Sequence, residues 1–358
     1  MLKSHLALHT DDNEDEEEDE KKVEEEEESV AVEHEPIVLD AEKRYLKKSE
    51  VSVRLSFLGK TADGDGYTYL KATLTGMGLT HIDAIKSFKH LQFLDLSNNN
   101  LQLNELQVVA KLPYLVLLQA DKNKLNAAEL HRMPYLQVLI LNNNDITTVH
   151  DVFQPELSTL EVGFNKIQKL HFTNAMPNIK CLDFRNNRII EISDLNFPKL
   201  DSLYLAHNNI VSLAGLERLV NLRILHVRNN PIRLLDGFHE DHTKLIYVNL
   251  RNCKVTTFRQ VKKLRVLKGI ETLILKGTPF MGGTGEEDVG GGGEEDDNEL
   301  RVEILAALPR LKRINKGTVT PEEREEAKTL MLQWLEEGEK DEEEIEDEVP
   351  NEEDDSQP

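Results

Sequence analysis

The sequence predicts an α/β repeat solenoid, a stack of strand-and-turn units whose strands form one parallel sheet along a concave face. The segment LDSLYLAHNNI carries Leu200, Leu203 and Leu205 before Asn208 and Ile210. The same frame recurs about every 22 residues, a period typical of leucine-rich repeats. We therefore predict a short-period leucine-rich-repeat horseshoe of about ten repeats, residues 69–280, with a cap at each end.

Alternation within the unit predicts the sheet. Leu203 and Leu205 alternate with Ser202, Tyr204 and Ala206, so a strand buries the leucines and places the other three on an exposed face. The asparagine that follows is expected to bond backbone groups left unpaired where the chain turns. The short period favours abbreviated helices between the strands. The asparagine position is occupied in turn by Asn99, Asn123, Asn144, Asn165, Asn187, Asn208, Asn230, Cys253 and Thr278.

Charge separates the repeats from the segments around them. The formal net charge is −23, but residues 11–36, 281–299 and 339–358 together carry −33, which leaves +10 on the rest. Such acidic segments bury too little apolar surface to fold. We predict acidic disordered tails over residues 1–39 and 339–358, and a flexible Gly-rich insertion over residues 281–299.

The repeats need covers at both ends. Residues 40–68 are predicted to form the N-terminal cap, with Leu55, Phe57 and Leu58 available to cover the first repeat. Residues 300–318 are predicted to close the other end, because an uncovered last strand would be an exposed edge. The residues predicted to form that closure are Val302, Ile304, Leu305, Leu308, Leu311 and Ile314.

A separate amphipathic helix is predicted over residues 320–338. Thr320 and Glu323 are spaced as a capping box, and Gly338 marks the stop. One apolar stripe contains Trp334, the single tryptophan of the chain. Two alternatives remain open: the stripe packs back on the cap, or Trp334 anchors a partner. The stripe consists of Ala327, Leu330, Met331, Trp334 and Leu335.

No constellation of residues predicts catalysis. The sequence contains no HExxH, CxxC, GxSxG or GxxxxGK[ST] motif. Asp63, Asp65 and Gly66 begin like a calcium loop, but without the later ligands a turn into a strand is favoured. Cys181 and Cys253 are too few for a disulfide framework, so a reducing, cytoplasmic compartment is expected. We predict no enzyme activity, cofactor, metal or small-molecule substrate, and no membrane span.

The concave face is predicted to bind protein. Acidic side chains lie mainly in its N-terminal half and basic ones in its C-terminal half, and several apolar side chains also point outward. Nucleic acid is the competing partner class, disfavoured because the basic patch is small and acidic segments are tethered nearby. The predicted protein-binding residues are Phe93, Arg185, Tyr204, His226, Arg228, Tyr247, Arg251 and Lys276, with Trp334 on the C-terminal helix.

Over roughly residues 50–340 the chain resembles the radial-spoke leucine-rich-repeat proteins of motile cilia and flagella. The resemblance rests on SFLGKTADGDGYTYLKATLTGMGLTHID, LYLAHNNIVSLAGLERLVNLRILHVRNNPIRLLDGF, YVNLRNCKV and LAALPRLKRINKGTVTPEEREEA. It implies a non-catalytic structural component of the axoneme, in the cytoskeleton near the spoke head, whose partners are other radial-spoke or axonemal proteins. The insertion at residues 281–299 departs from the family pattern.

Two other functions remain open from the sequence. Related short-period repeat proteins act as regulatory subunits that wrap a phosphatase, and the concave face would then capture the catalytic subunit. Acidic histone-binding repeat proteins share an acidic tail with this chain. Here, however, acid flanks both ends of a longer array, and no basic nuclear-import cluster is evident.

Overall fold

The computed structural model describes residues 43–192, 195–286 and 298–336. The predicted acidic tails lie outside these described residues. So do Gly338, the predicted end of the last helix, and residues 287–297 of the predicted insertion.

Within the described residues, thirteen strands form one sheet in sequence order. The strands are β1 (Leu55–Lys60), β2 (Tyr67–Thr73), β3 (Phe93–Asp95), β4 (Leu117–Gln119), β5 (Val138–Ile140), β6 (Thr159–Glu161), β7 (Cys181–Asp183), β8 (Ser202–Tyr204), β9 (Ile224–His226), β10 (Tyr247–Asn249), β11 (Thr272–Ile274), β12 (Arg313–Ile314) and β13 (Gly317–Thr318). The pairs from β2 to β12 are parallel, whereas β1 with β2 and β12 with β13 are antiparallel. The predicted leucine-rich-repeat horseshoe with a parallel sheet is confirmed.

Helices in the connections are short, as the period predicts. The α-helices are α1 (Lys48–Ser52), α2 (Leu103–Leu106), α3 (Phe258–Lys262), α4 (Asn298–Ala307) and α5 (Pro321–Glu336). Turns of 3₁₀-helix span Asp83–Ser87, Gln107–Lys111, Leu216–Arg218, Lys263–Val266 and Pro279–Met281. None of the helices in the described segments is both long and apolar enough to span a bilayer.

Burial follows the predicted alternation at the leucines but not at the small residues between them. Leu203 and Leu205 are fully buried and Tyr204 is half-buried. Ser202 and Ala206, predicted to be exposed, are buried. Ser202 pairs in register with Cys181 on one side and Ile224 on the other, so larger neighbours shield it. A small side chain in a stack is covered by the repeats that flank it.

A ladder of buried asparagines joins consecutive repeats. The Nδ2 group of Asn208 donates to the carbonyls of Leu205, in its own repeat, and Phe184, in the preceding one, both at 3.0 Å. Its Oδ1 accepts the amide of Ile189 at 3.0 Å. The predicted role of this position is therefore confirmed. Cys253 and Thr278 keep only part of it, since each donates one bond to a backbone carbonyl, at 3.4 and 2.8 Å.

The residue before each ladder position adopts a left-handed backbone conformation. It has φ of 57° at His207 and 55° at Phe164. Gly277 fills the equivalent place before Thr278, with φ of 79°. A Cβ on Gly277 would lie 2.0 Å from Oδ1 of Asn252, so the close approach of the two repeats requires glycine there.

The N-terminal cap is a hairpin that continues the sheet, with α1 ahead of it. Leu55 packs against the core, and the ring of Phe57, although 61% exposed, lies 5.8 Å from that of Phe93 on β3, whereas Leu58 is 63% exposed and adds little cover. The main cover comes from β2, which pairs directly with β3. Asp63 and Asp65 lie in the turn between β1 and β2, which confirms a turn at that place.

The C-terminal closure contains α4, β12 and β13, and its six predicted apolar residues are buried. Helix α4 begins at Asn298, two residues before the predicted closure. Arg301 of α4 donates to Glu323 of α5 at 2.6 Å and to the carbonyl of Ile314 at 2.9 Å. This buried ion pair, which the sequence did not predict, joins the closure to the last helix.

The predicted capping box starts α5. Glu323 accepts the amide of Thr320 at 2.7 Å, and the Thr320 hydroxyl accepts the amide of Glu323 at 3.2 Å. Burial acts to raise the pKa of Glu323, but the hydrogen bonds from Arg301 and Thr320 outweigh it and hold that pKa below its ordinary value. Glu323 therefore stays ionised at neutral pH and fastens α5 to α4.

Candidate protein-binding surface

The concave face contains eight of the nine predicted binding residues. Each lies on a strand, or two residues beyond it, at a position that alternates with the buried core residues. The structure brings only some of them together. Phe93 on β3 is separated from the others by several strands and instead meets Phe57, with ring centroids 5.8 Å apart. The remaining seven lie on or directly after β7 to β11. The candidate surface is therefore the C-terminal half of the concave face.

Three stacked rings form the centre of this surface. The rings of Tyr204 and His226, on adjacent strands, have centroids 4.9 Å apart, and those of His226 and Tyr247 are 4.8 Å apart. We call these three residues the aromatic column. Each ring is partly exposed and each is held by its neighbours. Rings fixed in this way lose little conformational freedom when a partner covers them.

Arg185 is not a free cation. Its Nε donates to both carboxylate oxygens of Asp183 at 2.9 Å, and its guanidinium lies 5.7 Å from the centre of the Tyr204 ring. Asp183 lies beneath it and is 5% exposed. Because the two charges neutralise each other, Arg185 supports the aromatic column more than it adds to the basic half of the face.

The surroundings keep the histidine of the column neutral. Burial, followed by the charges of Arg185 and Arg228, lowers the pKa of His226 below its ordinary value. Burial likewise raises the pKa of Tyr204. It raises the pKa of the nearby Cys181 thiol to about 11, with a further contribution from Asp183. At neutral pH the aromatic column is therefore uncharged.

A column of cations runs beside the rings. Arg228, Arg251 and Lys276 occupy equivalent positions two residues after β9, β10 and β11, and we call them the basic column. All three are half-buried. The amide of Arg251 donates to Asn249, but its side-chain Nε is buried without a hydrogen-bond partner among the described residues. A buried unpaired donor favours a partner that brings an acceptor.

Several acidic and amide side chains in the N-terminal half of the concave face accept hydrogen bonds from backbone amides. Asp121 accepts the amide of Asn142 at 2.7 Å, and Asn142 in turn accepts the amide of Gly163 at 2.7 Å. Asp95 accepts the amide of Ser97 at 2.9 Å. These groups are partly occupied within the sheet, so the charge gradient of the face is weaker in the structure than a count of side chains predicts.

Trp334 packs within the chain, in the first of the two arrangements that the sequence left open. Its ring lies 5.8 Å from that of Phe258 on α3, and the ammonium of Lys262 lies 5.4 Å from its centre. Ala327 is buried, while Leu335, predicted in the same stripe, is 66% exposed. Helix α5 therefore docks on the closure and on α3, with Leu335 left facing outward.

One further exposed apolar side chain was missed in the sequence analysis. Phe164 is 53% exposed in the left-handed position before Asn165. Its location one residue before a ladder asparagine was the only available indication.

The described part of the chain holds no group of three or more His, Cys, Asp or Glu side chains that could bind a metal ion. The arrangement on the concave face is one of fixed rings and cations on a rigid sheet. Such an arrangement suits recognition of another macromolecule.

Comparison with known proteins identifies the repeats. The family model for Leucine Rich repeats (2 copies) matches residues 177–218 and 198–240, and that for a Leucine Rich Repeat matches residues 90–112. Among solved structures, the TLR13–ssRNA13 complex aligns with a TM-score of 0.50 and 20% identity, covering 69% of this chain and 36% of that one. A likeness at this identity shows the fold alone. Proteins built from the repeats that the family models match are generally protein-interaction modules without catalytic activity.

Relatives that share one name match most of the chain, and the human and mouse proteins are two of them. Human leucine-rich repeat-containing protein 23 is 32% identical over 290 residues, which cover 80% of this chain and 79% of the human protein. The mouse protein of the same name is 31% identical over 285 residues, covering 79% of each chain. Similarity over this length extends beyond the repeats alone, and the chain therefore belongs to the family of leucine-rich repeat-containing protein 23.

Proposed function

We propose that this chain is a non-catalytic structural scaffold of the ciliary or flagellar axoneme. In this proposal it is a head-proximal component of the radial spoke that binds other spoke proteins. Two considerations support it: membership of the family of leucine-rich repeat-containing protein 23, and the resemblance of the repeats and flanks to radial-spoke leucine-rich-repeat proteins. The proposed location is the cytoskeleton of the cilium or flagellum, within the cytoplasm.

The single observation that carries the binding role is the aromatic column beside the basic column. The stacked rings of Tyr204, His226 and Tyr247 offer apolar area already in place, so a partner gains contact without the cost of ordering them. Arg228 and Arg251 lie along the same edge and would orient an acidic partner. Affinity is thus assigned to the rings, and orientation to the cations.

The C-terminal helix offers a second contact in this proposal. Trp334 packs against Phe258, so the apolar side chains that α5 exposes are those of Leu332, 48% exposed, and Leu335, 66% exposed. A partner that engages α5 would meet these leucines and the exposed edge of the Trp334 ring.

Fractionation of axonemes tests the location. The full chain is tagged in a ciliated cell, membranes are removed with detergent, and axonemes are extracted stepwise. We expect the chain to remain with the axoneme and to be released together with spoke proteins. Release into the detergent-soluble matrix, without spoke proteins, would refute the axonemal role. Capture of a phosphatase catalytic subunit or of histones would instead support one of the two other functions.

Charge reversal tests the binding surface. Arg228→Glu together with Arg251→Glu should leave folding intact but lower the amount of co-purified partner by about tenfold or more, because two attractive charges become repulsive. The matched control is Arg218→Glu with Arg259→Glu, two exposed arginines outside the concave face. Equal co-purification with both double variants and the unmodified chain would remove the basic column from the proposal.

A further inference from the structure

A second group of cations lies at the side of the sheet where β7 to β10 begin. A cavity of about 550 Å³ there is lined by Lys180, Lys199, Arg223 and Lys244. Asp201 is the one carboxylate among the described residues that line it. We call the four cations the basic stripe. The basic stripe lies outside the concave face to which the proposed function assigns binding. It adjoins that face where β7 and β8 begin.

Two lysines of the stripe are held in place by a repeated arrangement. Asn178, Lys199, Asn221 and Lys244 occupy the same position in four consecutive repeats, each directly before a buried core residue. The Lys199 ammonium donates to Asn178 at 2.9 Å, and the Lys244 ammonium donates to Asn221 at 2.6 Å. Asn221 in turn donates to the carbonyl of Pro198 at 2.7 Å. Neutral amides therefore orient these ammonium groups without cancelling their charge.

The charge of the stripe is largely uncompensated. Some exposed lysines elsewhere pair with carboxylates, as Lys312 does with Glu271 at 2.7 Å. In the stripe Arg223 pairs with Asp201 at 3.4 Å. Its three lysines form no salt bridge with any carboxylate of the described segments. A cavity with several fixed, unpaired cations attracts anions.

The spacing of the cations indicates the shape of the ligand. Neighbouring strands lie about 4.8 Å apart, so Lys180 and Lys244, on rungs three apart, are separated by roughly 14 Å. An extended chain rises about 3.3 Å per residue, so four or five residues span this distance. A row of charges fits a row of carboxylates better than it fits one compact phosphate. None of the described residues that line the cavity is an aromatic on which bases would stack, which disfavours single-stranded nucleic acid.

We propose that the basic stripe binds an acidic segment, rich in glutamate or aspartate, of a partner protein. The segment lies extended across the start of β7 to β10, with its carboxylates on Lys180, Lys199 and Lys244. Such a contact holds a flexible acidic tail at the edge of the sheet while the concave face remains open to a folded partner.

The test measures binding of a labelled oligoglutamate peptide to the full chain by fluorescence anisotropy at low salt. We expect saturable binding that weakens as salt rises, and none by a neutral oligoglutamine peptide. Lys199→Glu with Lys244→Glu should weaken binding by about tenfold or more. Lys199→Gln with Lys244→Gln, which removes the charges without adding repulsion, should weaken it to a smaller extent. Circular dichroism establishes that each variant is folded.

The matched control is Lys111→Glu with Lys169→Glu. Both lysines are exposed and form no salt bridge among the described residues. Replacing them changes the net charge by the same amount as replacing Lys199 and Lys244. Equal weakening by the control would mean that the peptide responds to net charge alone, and the proposal would be overturned. Absence of binding to the full chain overturns it too, as does displacement of the peptide by a single-stranded oligonucleotide at lower concentration than by free oligoglutamate.

Discussion

Asn208→Ala should destabilise the stack at the centre of the asparagine ladder. The side chain is 6% exposed, donates to the carbonyls of Phe184 and Leu205, and accepts the amide of Ile189. Alanine removes these three bonds and a longer one, at 3.4 Å, to the carbonyl of Ala206. We expect a lower free energy of unfolding in urea, together with faster hydrogen exchange at the Ile189 amide.

The magnitude follows from which groups keep another partner. The carbonyl of Phe184 retains a bond from Asn187 at 3.0 Å, and that of Leu205 retains one from Asn230 at 2.9 Å. The Ile189 amide has no second acceptor among the described residues. A buried unsatisfied amide costs about 1–3 kcal/mol, and each of the two other lost bonds about 0.5–1.5 kcal/mol. The expected destabilisation is thus about 2–6 kcal/mol.

The neighbouring asparagine provides the control. Asn209 is exposed, so Asn209→Ala should change the free energy of unfolding by less than about 0.5 kcal/mol. Asn208→Cys should fall between the two, because Cys253 fills the same position with a single bond to the carbonyl of Val227. If Asn208→Ala costs no more than Asn209→Ala, the account of the ladder is wrong.

The two remaining predictions concern the C-terminal helix. Trp334→Ala should lower stability by about 1–3 kcal/mol in thermal unfolding, because it removes a half-buried ring from Phe258; an unchanged melting temperature with lost partner binding would show that the ring serves as an anchor. The pKa of Glu323 is lower in the folded chain than its ordinary value of 4.5. Ionised Glu323 should therefore contribute its full stabilisation of the docking of α5 above pH 4.5, and this contribution should be lost as the pH falls through the lowered folded-state pKa. Trp334 fluorescence should report undocking in acid, and Glu323→Gln should flatten that pH profile; identical profiles for the two proteins would contradict the role of the Arg301–Glu323 pair.

Much of the fold was predictable from local spacing. The leucine frame placed the buried strand residues, and the asparagine position marked the ladder from Asn99 to Asn230. The apolar residues of the closure and the capping box of Thr320 and Glu323 were also predictable, because each depends on side chains a few residues apart. Such features depend on local sequence and can be predicted without knowing which residues pack beside them in the folded chain.

The candidate site was predictable only in part. Alternation placed Tyr204, His226 and Tyr247 on one face, but not their stacking, since rings on different repeats meet only once the strands are in register. The burial of Ser202 between its neighbours likewise depends on side chains about one repeat away. Asp183 bonds Arg185 only two residues along the chain, but spacing alone did not predict that it would be buried. The exposure of Leu58 was not predicted because the sequence did not indicate that β1 forms an edge strand.

The repeated unit, its period and the side of each strand that faces the core were readable from the sequence, because they follow from the chemistry of neighbouring residues. Which charges are neutralised and which remain was visible only in the folded stack. Arg185 is paired with Asp183, two residues away. Arg301 is buried against Glu323, and Lys199 and Lys244 are held by amides, because stacking brings together side chains some twenty residues apart. A cation is available to a partner only where the fold places no carboxylate beside it.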